Sequence, residues 1–517
     1  MSRGKVSVPL DLPQPGSLSD GSRVLTKQES AYEALRGAIL EKLLPAGSQL
    51  PSTRTLAQRW SLSRGTVEMV FDRLRSEGYV TRVSGSGTRV SAVVPDLFIR
   101  APQVQATLHA REQQTPAAPP PALETAVRVG LPFVARLADP ALFPIRVWSR
   151  AVAKAMAEAS AQLLCSPDPG GMLALREQIA DYLAKYRGIR CKPDDLIVTT
   201  GIRHSLDLVA RSLVTQGDKV CVEDPGYLSA KRIFSMAGAR LVYIPVLEDG
   251  IDDGALRRHG DARLVYVTPA HQSPLGVTLS VSRRLALLDW ASRTDAWVVE
   301  DDYDSEFNYN SAPLAALKAL DRDDRVIYCG SFNKTLFAGL RVGFMLVPGA
   351  LRNRLLATLQ TTGRSVGVTE QAALAEYMRS GAFVRYLRSA RQAYQERRDA
   401  LLASLAEQAP GGYSVSGQHA GLHFVLELPA GSDESDFCRR ASAIGLTLQP
   451  VSEFCQEVRR PAAVMIGFTA LSLSQIRFSG RKLGQLLAEQ AALLASGSGG
   501  VDSGCRRATE GFQRFGV

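Results

Sequence analysis

The sequence lacks any long apolar run. No stretch of about 18 consecutive apolar residues occurs in the 517 residues, so we expect no transmembrane helix. The opening residues, MSRGKVSVPL, have a basic flank but no apolar core after it, so we expect no secretory signal either. Together these absences predict a cytoplasmic protein that does not bind membranes.

Cysteine is scarce and shows no pairing pattern. The seven cysteines are scattered without a Cys-x-x-Cys pair, which predicts reduced thiols and no metal site. With 45% hydrophobic and 22% charged residues, the composition is that of an ordinary globular protein. The length predicts about three or four structural units. The net charge of +10 is a weak indication of an anionic partner.

Composition divides the chain into five parts. Residues 1–22 are rich in Pro, Gly and Ser and predict a flexible lead. Residues 94–125, with prolines spaced among Ala and Gln, predict a semi-extended linker. Residues 498–517 predict a disordered tail. The remaining parts, 23–93 and 126–497, carry the apolar periodicity of folded domains.

The part at 23–93 has the element order of a winged helix. Apolar spacing predicts a helix over 30–44, a short helix that starts at Ser52, and a third helix over 64–76 that Ser63 caps. Two short strands around a glycine turn follow. Eleven basic and six acidic residues give this part +5, half of the net charge. The alternative is a small helical module with a solvated charged face.

The second helix of a helix–turn–helix enters the major groove by its N-terminal end. The predicted DNA contacts are therefore base-edge contacts by Ser63, Arg64 and Thr66, a phosphate contact by Arg54, and hairpin contacts by Arg82 and Arg89. The motifs LPSTR, LSRGTV and EGYV…GSGT resemble the winged-helix domain of GntR-type bacterial transcription regulators. Two operator half-sites of double-stranded DNA need two such modules, so we expect a homodimer.

The part at 126–497 alternates strand-like and helix-like runs. Its strands are rich in Val and Ile and apolar on both faces, which predicts an α/β fold with a mainly parallel sheet and helices on both sides. A small α/β subdomain is expected near its end. Ligands of such sheets bind at the C-terminal ends of the strands, and the marked polar residues fall at those ends.

The stretch SFNKTLFAGLRVG, residues 331–343, lies between two apolar strands. Lys334 would be costly there as a buried charge, but less costly as an imine with an aldehyde cofactor. Ser331 and Arg341 offer a hydroxyl donor and a planar charged fork, which suit a phosphate. The stretch therefore suggests pyridoxal phosphate. The alternative is a surface turn with one solvated lysine.

Three other strand ends carry weaker signals. The glycine turn formed by Gly201, Ile202 and Arg203 opens a helix, whose first N–H groups favour an anion such as the same phosphate. Tyr227 follows the next strand and offers its ring to a flat cofactor, or else is a core tyrosine. His271, in the loop TPAHQSPLG, is either a proton donor or a structural histidine.

Four carboxylates crowd the strand end VVEDDYD at 298–304. A buried carboxylate needs a partner, and a pyridinium nitrogen is such a partner. Asp301 is the candidate for that role, and Tyr303 is the candidate to hydrogen-bond the cofactor's phenolic oxygen. The alternatives are a metal site or a solvated acidic loop.

These features, in this order, resemble fold-type I pyridoxal phosphate aminotransferases. With the winged helix, the whole chain resembles the MocR/GabR subfamily of GntR regulators, in which EDDYDSEF and HQxPxG are specific motifs. The resemblance implies a body that binds the cofactor, senses a small amine or amino acid, and controls transcription. The implied roles are imine formation by Lys334, ring contacts by Asp301, Tyr303 and Tyr227, and phosphate contacts by Arg341, Ser331 and the Gly201 turn.

We therefore predict a transcription regulator that senses an amine or amino acid by transaldimination at Lys334. One alternative is a catalytically active aminotransferase with an appended DNA-binding domain; another is a DNA-binding protein whose body binds no cofactor. Ser273 stands where many aminotransferases carry Asn, and the strand at 463–468 lacks the Arg that commonly grips a substrate carboxylate. Arg364 is another candidate anion grip.

Overall fold

The computed structural model describes residues 14–15, 26–83, 87–92, 130–160, 168–309, 315–363 and 365–498. The predicted lead, linker and tail lie outside these ranges, apart from Gln14, Pro15 and Ser498, and so does Arg364. The chain divides into two compact units, Met1–Glu124 and Thr125–Val517. Within the described residues, no helix combines the length and apolarity that crossing a membrane requires.

The first unit is a winged helix. Its elements are α1 (Lys27–Leu40), α2 (Thr53–Arg59), α3 (Arg64–Ser76), β1 (Val80–Val83) and β2 (Gly87–Val90). The first helix begins earlier than the sequence predicted because Thr26 and Glu29 form a capping box. It also ends earlier, at Leu40, and Lys42 follows with a left-handed φ of 61°. The strands β1 and β2 pair antiparallel as a hairpin.

Side-chain caps and one apolar core fix the helices of this unit. Ser52 and Ser63 accept hydrogen bonds from the backbone N–H groups of Thr55 and Thr66, as N-cap residues do. The predicted cap at Ser63 is thus confirmed. The core residues are fully or almost fully buried: Leu35, Leu56, Trp60, Val67, Val70, Leu74 and Val80.

The second unit is built on an eight-stranded sheet. Its strands are β3 (Leu196–Thr199), β4 (Lys219–Asp224), β5 (Arg240–Leu247), β6 (Gly250–Ile251), β7 (Leu264–Val267), β8 (Trp297–Asp302), β9 (Val326–Ser331) and β10 (Gly343–Leu346). The spatial order is β3-β10-β9-β8-β7-β4-β5-β6. The five strands from β9 to β5 run parallel, whereas β10 runs antiparallel to both of its neighbours and β6 to β5.

Helices cover both faces of this sheet. Val220 and Val222 pack into one apolar cluster, while Cys221 between them packs into another on the opposite face. The described helices are α4 (Ile145–Ala157), α5 (Leu173–Tyr186), α6 (Ile202–Leu213), α7 (Leu228–Met236), α8 (Asp253–Leu256), α9 (Val281–Thr294), α10 (Leu317–Leu320), α11 (Phe332–Thr335), α12 (Gly349–Thr362), α13 (Val368–Arg379), α14 (Ala382–Gln408), α15 (Glu434–Ala443) and α16 (Leu473–Ser498). The predicted α/β fold with a mainly parallel sheet is confirmed.

A smaller antiparallel sheet forms the predicted α/β subdomain. Its strands are β11 (Ser414–Ser416), β12 (His423–Glu427), β13 (Gln449–Pro450) and β14 (Ala463–Gly467), in the order β11-β12-β14-β13. The long helices α14 and α16 pack against each other beside it. His423 opens β12 and points its buried ring towards the loop after β7, since its Nε2 lies 3.1 Å from the Pro274 carbonyl oxygen.

Candidate functional site

Polar side chains meet where the parallel strands end. Lys334 lies on the single turn α11, which β9 leads into, and its amine donates a hydrogen bond to the backbone oxygen of Arg136 at 2.8 Å. Burial, followed by the nearby Arg136 charge, lowers the pKa of Lys334 to about 8. About one tenth of this amine is therefore uncharged at pH 7, far more than in an ordinary lysine, and the uncharged form is the nucleophile.

Asp301 lies at the end of β8 and is almost fully buried. Its Oδ2 accepts a hydrogen bond from the Tyr266 hydroxyl at 2.6 Å, while its Oδ1 has no hydrogen-bond partner among the described residues. Burial raises the pKa of Asp301 to about 7, against the effect of the Tyr266 hydrogen bond. A buried carboxylate with one unpartnered oxygen is ready for a cationic N–H group.

Tyr227 follows β4, as the sequence predicted, and its ring stacks with that of Tyr266 at 6.5 Å between centroids and 30° between planes. It is half-buried, so one part of the ring remains accessible. The Nε of Arg203 lies 3.4 Å from its hydroxyl. Tyr227, Tyr266 and Asp301 thus form a connected aromatic and acidic wall.

Tyr303 contacts the buried pair His271 and Asp304. The His271 Nδ1 lies 3.1 Å from Asp304 Oδ2 and 3.2 Å from the Tyr303 hydroxyl, and its Nε2 lies 3.2 Å from the Gly417 carbonyl oxygen. Burial opposes protonation of His271, but the Asp304 carboxylate outweighs it and raises the pKa of the ring. A protonated His271 donates at both nitrogens, so Tyr303 keeps its own proton for another acceptor.

His423 adds a second imidazole to this group. Its ring centroid lies 5.3 Å from that of His271, and burial, followed by the His271 charge, holds its pKa well below the usual value. One ligand atom from each of His271, Asp304 and His423 lies within 4.8 Å of the others, an arrangement that a metal ion can use. The absence of a metal site therefore stays a prediction.

The four carboxylates of the acidic strand end separate into two kinds. Glu300 accepts 2.8 Å hydrogen bonds from the backbone N–H groups of Leu317 and Lys318 at the start of α10. Asp302 forms an ion pair with Arg187 and accepts a hydrogen bond from a tyrosine hydroxyl at 2.6 Å. Glu300 and Asp302 therefore have structural roles. Asp301 and Asp304 are the two carboxylates of this strand end that belong to the candidate site.

At the predicted phosphate-binding turn, backbone segments from different parts of the chain lie unusually close together. Gly201 has φ 116°, a region that L side chains rarely adopt, and a Cβ there would lie 2.5 Å from Asn333 Nδ2. A Cβ on Gly343 would lie 2.8 Å from the Gly201 Cα. The first N–H groups of α6, at Ile202 and Arg203, have no intrahelical carbonyl partner. The turn therefore presents donors at a helix N-terminus.

The other predicted phosphate ligands lie on the same side of the sheet. Ser331 ends β9, and its Oγ would be 3.8 Å from a Cβ on Gly201. Its Oγ also accepts a hydrogen bond from the Asn333 backbone at 3.3 Å. Arg341 is exposed, has a left-handed φ of 53°, and makes no hydrogen bond or ion pair within the described residues. Its guanidinium is therefore available to an anion.

Three residues of the site were missed by the sequence interpretation. Tyr266 looked like one more apolar strand residue, and only the register of β7 beside β8 brings its hydroxyl to Asp301. His423 comes from a different sheet, about 150 residues after the loop it contacts. Arg136 lies in an irregular segment before α4, where the sequence shows no periodic pattern.

The predicted DNA contacts lie on two parts of the winged helix. Arg54 and Arg64 are exposed near the starts of α2 and α3, and Arg64 pairs with Glu68 at 2.9 Å. Ser63 and Thr66 are joined at the cap of α3, with their hydroxyl oxygens 2.7 Å apart. On the hairpin, Arg82 is exposed, whereas Arg89 is half-buried and donates to the Gly47 carbonyl at 2.8 Å. Arg89 is therefore partly engaged in holding the wing.

The residues of the second unit fit pyridoxal phosphate. The unpartnered Asp301 Oδ1 suits a pyridinium N–H, and the Lys334 amine has the lowered pKa that reaction with an aldehyde needs. The Gly201 turn and the exposed Arg341 offer donors and positive charge to a phosphate. A winged helix and an aminotransferase-type site on one chain define a DNA-binding protein with a ligand-binding body.

Comparison with known proteins identifies the family. Residues 27–90 match the bacterial regulatory proteins of the gntR family, and residues 138–458, more than half of the chain, match aminotransferase class I and II. The chain is 34% identical over 427 residues to the probable rhizopine catabolism regulatory protein MocR of Rhizobium meliloti, covering 81% of this chain and 85% of that protein. It belongs to the MocR-type branch of the GntR family of transcription regulators.

Two further relatives support the assignment. The pyridoxine biosynthesis transcriptional regulator PdxR of Corynebacterium glutamicum is 35% identical, over 76% of this chain and 82% of its own length. The crystal structure of the α-aminoadipate aminotransferase LysN of Thermus thermophilus, complexed with N-(5'-phosphopyridoxyl)-L-leucine, matches with a TM-score of 0.63 and 30% identity, covering 70% of this chain and 93% of that one. The predictions of a DNA-binding regulator and of pyridoxal phosphate as its cofactor are confirmed.

Proposed function

We propose that this regulator holds pyridoxal phosphate at the strand ends of its second unit and uses it to sense a small primary amine. When bound, the cofactor supplies an aldehyde for which the Lys334 amine and an amine effector compete, together with an electron-accepting ring. The observation that carries the proposal is the pairing, in one buried site, of the low-pKa Lys334 amine with the unpartnered oxygen of Asp301.

Each residue has a defined task in this proposal. Asp301 carries the negative charge that keeps the ring nitrogen protonated, and Tyr266 holds that carboxylate in place. Tyr303 donates its hydroxyl proton to the phenolic oxygen, because His271 is held as a donor by Asp304. Tyr227 lies against the ring face. The phosphate ligands are Ser331, Arg341 and the first N–H groups of α6 at Gly201, Ile202 and Arg203.

The response to the effector is a shift between two states of the protein. With an effector amine held by the cofactor, the Lys334 Nζ would be a separate group in the site, able to donate to the Arg136 carbonyl as it does here. Such a change shifts an equilibrium only by the difference in affinity of the effector for the two states. DNA-binding affinity is the output of that shift.

The DNA-binding task falls to the N-terminal ends of α2 and α3 and to the wing. We assign base-edge contacts to Arg64, Ser63 and Thr66, and a phosphate contact to Arg54. Arg82 and Arg89 lie on the hairpin, which reaches the backbone or an adjacent groove. Since two half-sites need two modules, we propose that the protein acts as a homodimer.

Spectroscopy and DNA binding together test the proposal. Wild-type protein and Lys334→Ala are loaded with pyridoxal phosphate, and visible absorbance is recorded before and after a panel of primary amines. DNA affinity is measured by fluorescence anisotropy on duplexes that the wild type selects from a random pool. We expect the wild type to show imine absorbance with Lys334 before amine is added, and an amine-dependent spectral shift and change in DNA affinity afterwards. Lys334→Ala should lack the absorbance before amine is added, while its DNA affinity without amine stays near that of the wild type. A colourless wild type that ignores the cofactor would refute the proposal.

The second candidate function is that of an aminotransferase, and the same lysine favours it. An amine with a pKa near 8 is suited to move protons at neutral pH. The two functions separate in one assay, in which purified protein receives amino donors and keto acids and the product is followed over many equivalents. Sustained turnover supports the enzyme, whereas a single equivalent of product or none supports the sensor.

A further inference from the structure

Arg136 lies in the same site, and the side chains that its guanidinium contacts among the described residues are neutral or aromatic. Its Nη1 lies 3.4 Å from the Ser273 Oγ, its Nη2 lies 3.3 Å from the Gln449 Oε1, and its guanidinium sits 5.2 Å from the centre of the Phe454 ring. No ion pair joins it to a carboxylate within the described part of the chain. Its side chain is half-buried.

Arg136 is a direct neighbour of the group that reacts with amines. The backbone oxygen of Arg136 accepts the Lys334 hydrogen bond at 2.8 Å. The Arg136 charge lowers the pKa of Lys334, after the larger effect of burial in the same direction. It also acts on Tyr303, whose pKa burial raises, and on His423, whose pKa burial lowers. An effector amine that reaches the Lys334 position therefore lies close to an unpaired cation.

Two arginines of this unit with low exposure are paired with carboxylates, whereas a third, Arg284, is held by three backbone carbonyl oxygens. Arg176 contacts Asp168 at 2.6 Å, and Arg397 contacts Asp139 at 2.8 Å. Desolvation of a charge is costly unless a partner compensates it. The polar neighbours of Arg136 are a hydroxyl and an amide, both neutral. Among the described residues Arg136 has neither a carboxylate nor a set of backbone carbonyls as partner, so its guanidinium has capacity for an external anion.

The backbone at this position is also unusual. Arg136 has φ 61°, in the left-handed region that non-glycine residues rarely occupy. Strained conformations of this kind concentrate at ligand-binding sites, where the surrounding structure maintains them. The strand β14, where aminotransferases commonly carry the arginine that binds the substrate carboxylate, has the sequence AVMIG (Ala463–Gly467) and contains no arginine.

We infer that Arg136 binds the carboxylate of the effector, which is therefore an amino acid and not a simple amine. The planar guanidinium forms two parallel hydrogen bonds with a carboxylate, and the Ser273 hydroxyl lies beside it as a further donor. The inference rests on the proposed amine sensing at Lys334. It names the second group that the effector must carry.

Matched ligand pairs test the inference. Wild type, Arg136→Gln and the control Arg459→Gln, an exposed arginine that precedes β14, are loaded with pyridoxal phosphate. They are titrated with L-alanine, β-alanine and 4-aminobutyrate, and with ethylamine and propylamine, which lack the carboxylate. We expect wild type and control to bind at least one amino acid about 10- to 100-fold more tightly than its matched amine. Arg136→Gln should lose that preference, whatever the change in its affinity for the amines. An Arg136→Gln protein that keeps the preference, or a wild type without one, would overturn the inference.

A second measurement does not need the cofactor. Melting of the cofactor-free proteins is followed in sodium propionate and in sodium chloride at equal ionic strength. We expect propionate to stabilise the wild type and Arg459→Gln more than chloride does, and to give Arg136→Gln no such advantage. Equal effects of the two salts on the wild type would contradict anion binding at Arg136. If the protein takes up no pyridoxal phosphate, the proposed sensor fails, and this measurement still decides for or against the anion site.

Discussion

Asp301→Asn should make the cofactor-free protein more stable while it weakens cofactor binding. The substitution keeps the shape of the side chain and an oxygen for the Tyr266 hydroxyl, but removes the buried charge. In the folded protein burial raises the pKa of Asp301 from 3.8 to about 7. Each unit of pKa difference is worth about 1.4 kcal/mol. Ionisation of Asp301 above pH 7 therefore lowers the free energy of unfolding of the cofactor-free wild type by about 4 kcal/mol.

The sign of the pH dependence follows from proton binding. Between about pH 4 and pH 7 the folded state holds a proton on Asp301 that the unfolded state has released, so wild-type stability from this group falls as the pH rises. Asp301→Asn has no such loss. The advantage of the variant should therefore be about 2–3 kcal/mol larger at pH 8 than at pH 5.

The assay is urea unfolding of the full chain, followed by tryptophan fluorescence at both pH values, with and without pyridoxal phosphate. We expect Asp301→Asn to be the more stable protein without cofactor at pH 8, and the wild type to be the more stable one with it, because bound ligand stabilises in proportion to its affinity. The matched control is Asp302→Asn, which removes the carboxylate that pairs with Arg187 and should destabilise by about 3–5 kcal/mol under both conditions. If Asp301→Asn is less stable at both pH values and binds the cofactor as well as the wild type does, Asp301 is a structural acid and the reasoning is wrong.

Three other predictions concern the lysine, the glycine turn and the DNA contacts. Because burial lowers the pKa of Lys334 to about 8, the rate of pyridoxal phosphate uptake should rise about tenfold from pH 7 to pH 9 and then level off in stopped-flow absorbance; a rate independent of pH would contradict a titrating amine. Gly201→Ala should weaken cofactor affinity at least tenfold in a spectral titration, because φ 116° and the nearby Asn333 leave no room for a methyl group, and unchanged affinity would exclude the turn as a phosphate site. Arg64→Ala should weaken binding to a selected duplex by about 1–3 kcal/mol, whereas Arg75→Ala, near the other end of α3, should have little effect. Equal losses in the two variants would contradict the assignment of base contacts to the N-terminal end of α3.

Local rules were enough to predict most of the fold. Ser63 was expected to cap α3 because its hydroxyl precedes an amphipathic run, and it does so. Runs rich in Val and Ile were expected to be buried on both faces, and β4 and β8 are buried along their length, apart from the half-buried Lys219. Such features depend on neighbours within a few residues, which the sequence displays directly.

The site was only partly predictable for a physical reason. Asp301 and Lys334 follow strands, so the parallel sheet brings them to one edge. Arg136 and His423 reach the same place through the packing of an irregular segment and of a second sheet, and neither has a local sequence signal. The task of each carboxylate in the acidic strand end was also hidden, since Glu300 is identified as a helix cap only by its contacts with α10.

The most direct test of the central claim is to trap the cofactor on its lysine. Protein incubated with pyridoxal phosphate is reduced with borohydride and digested, and the peptides are analysed by mass spectrometry. We expect a phosphopyridoxyl group on the Lys334 nitrogen and a loss of this label when an amine effector is present before reduction. An unmodified Lys334, or a label spread over surface lysines and insensitive to amines, would contradict the claim.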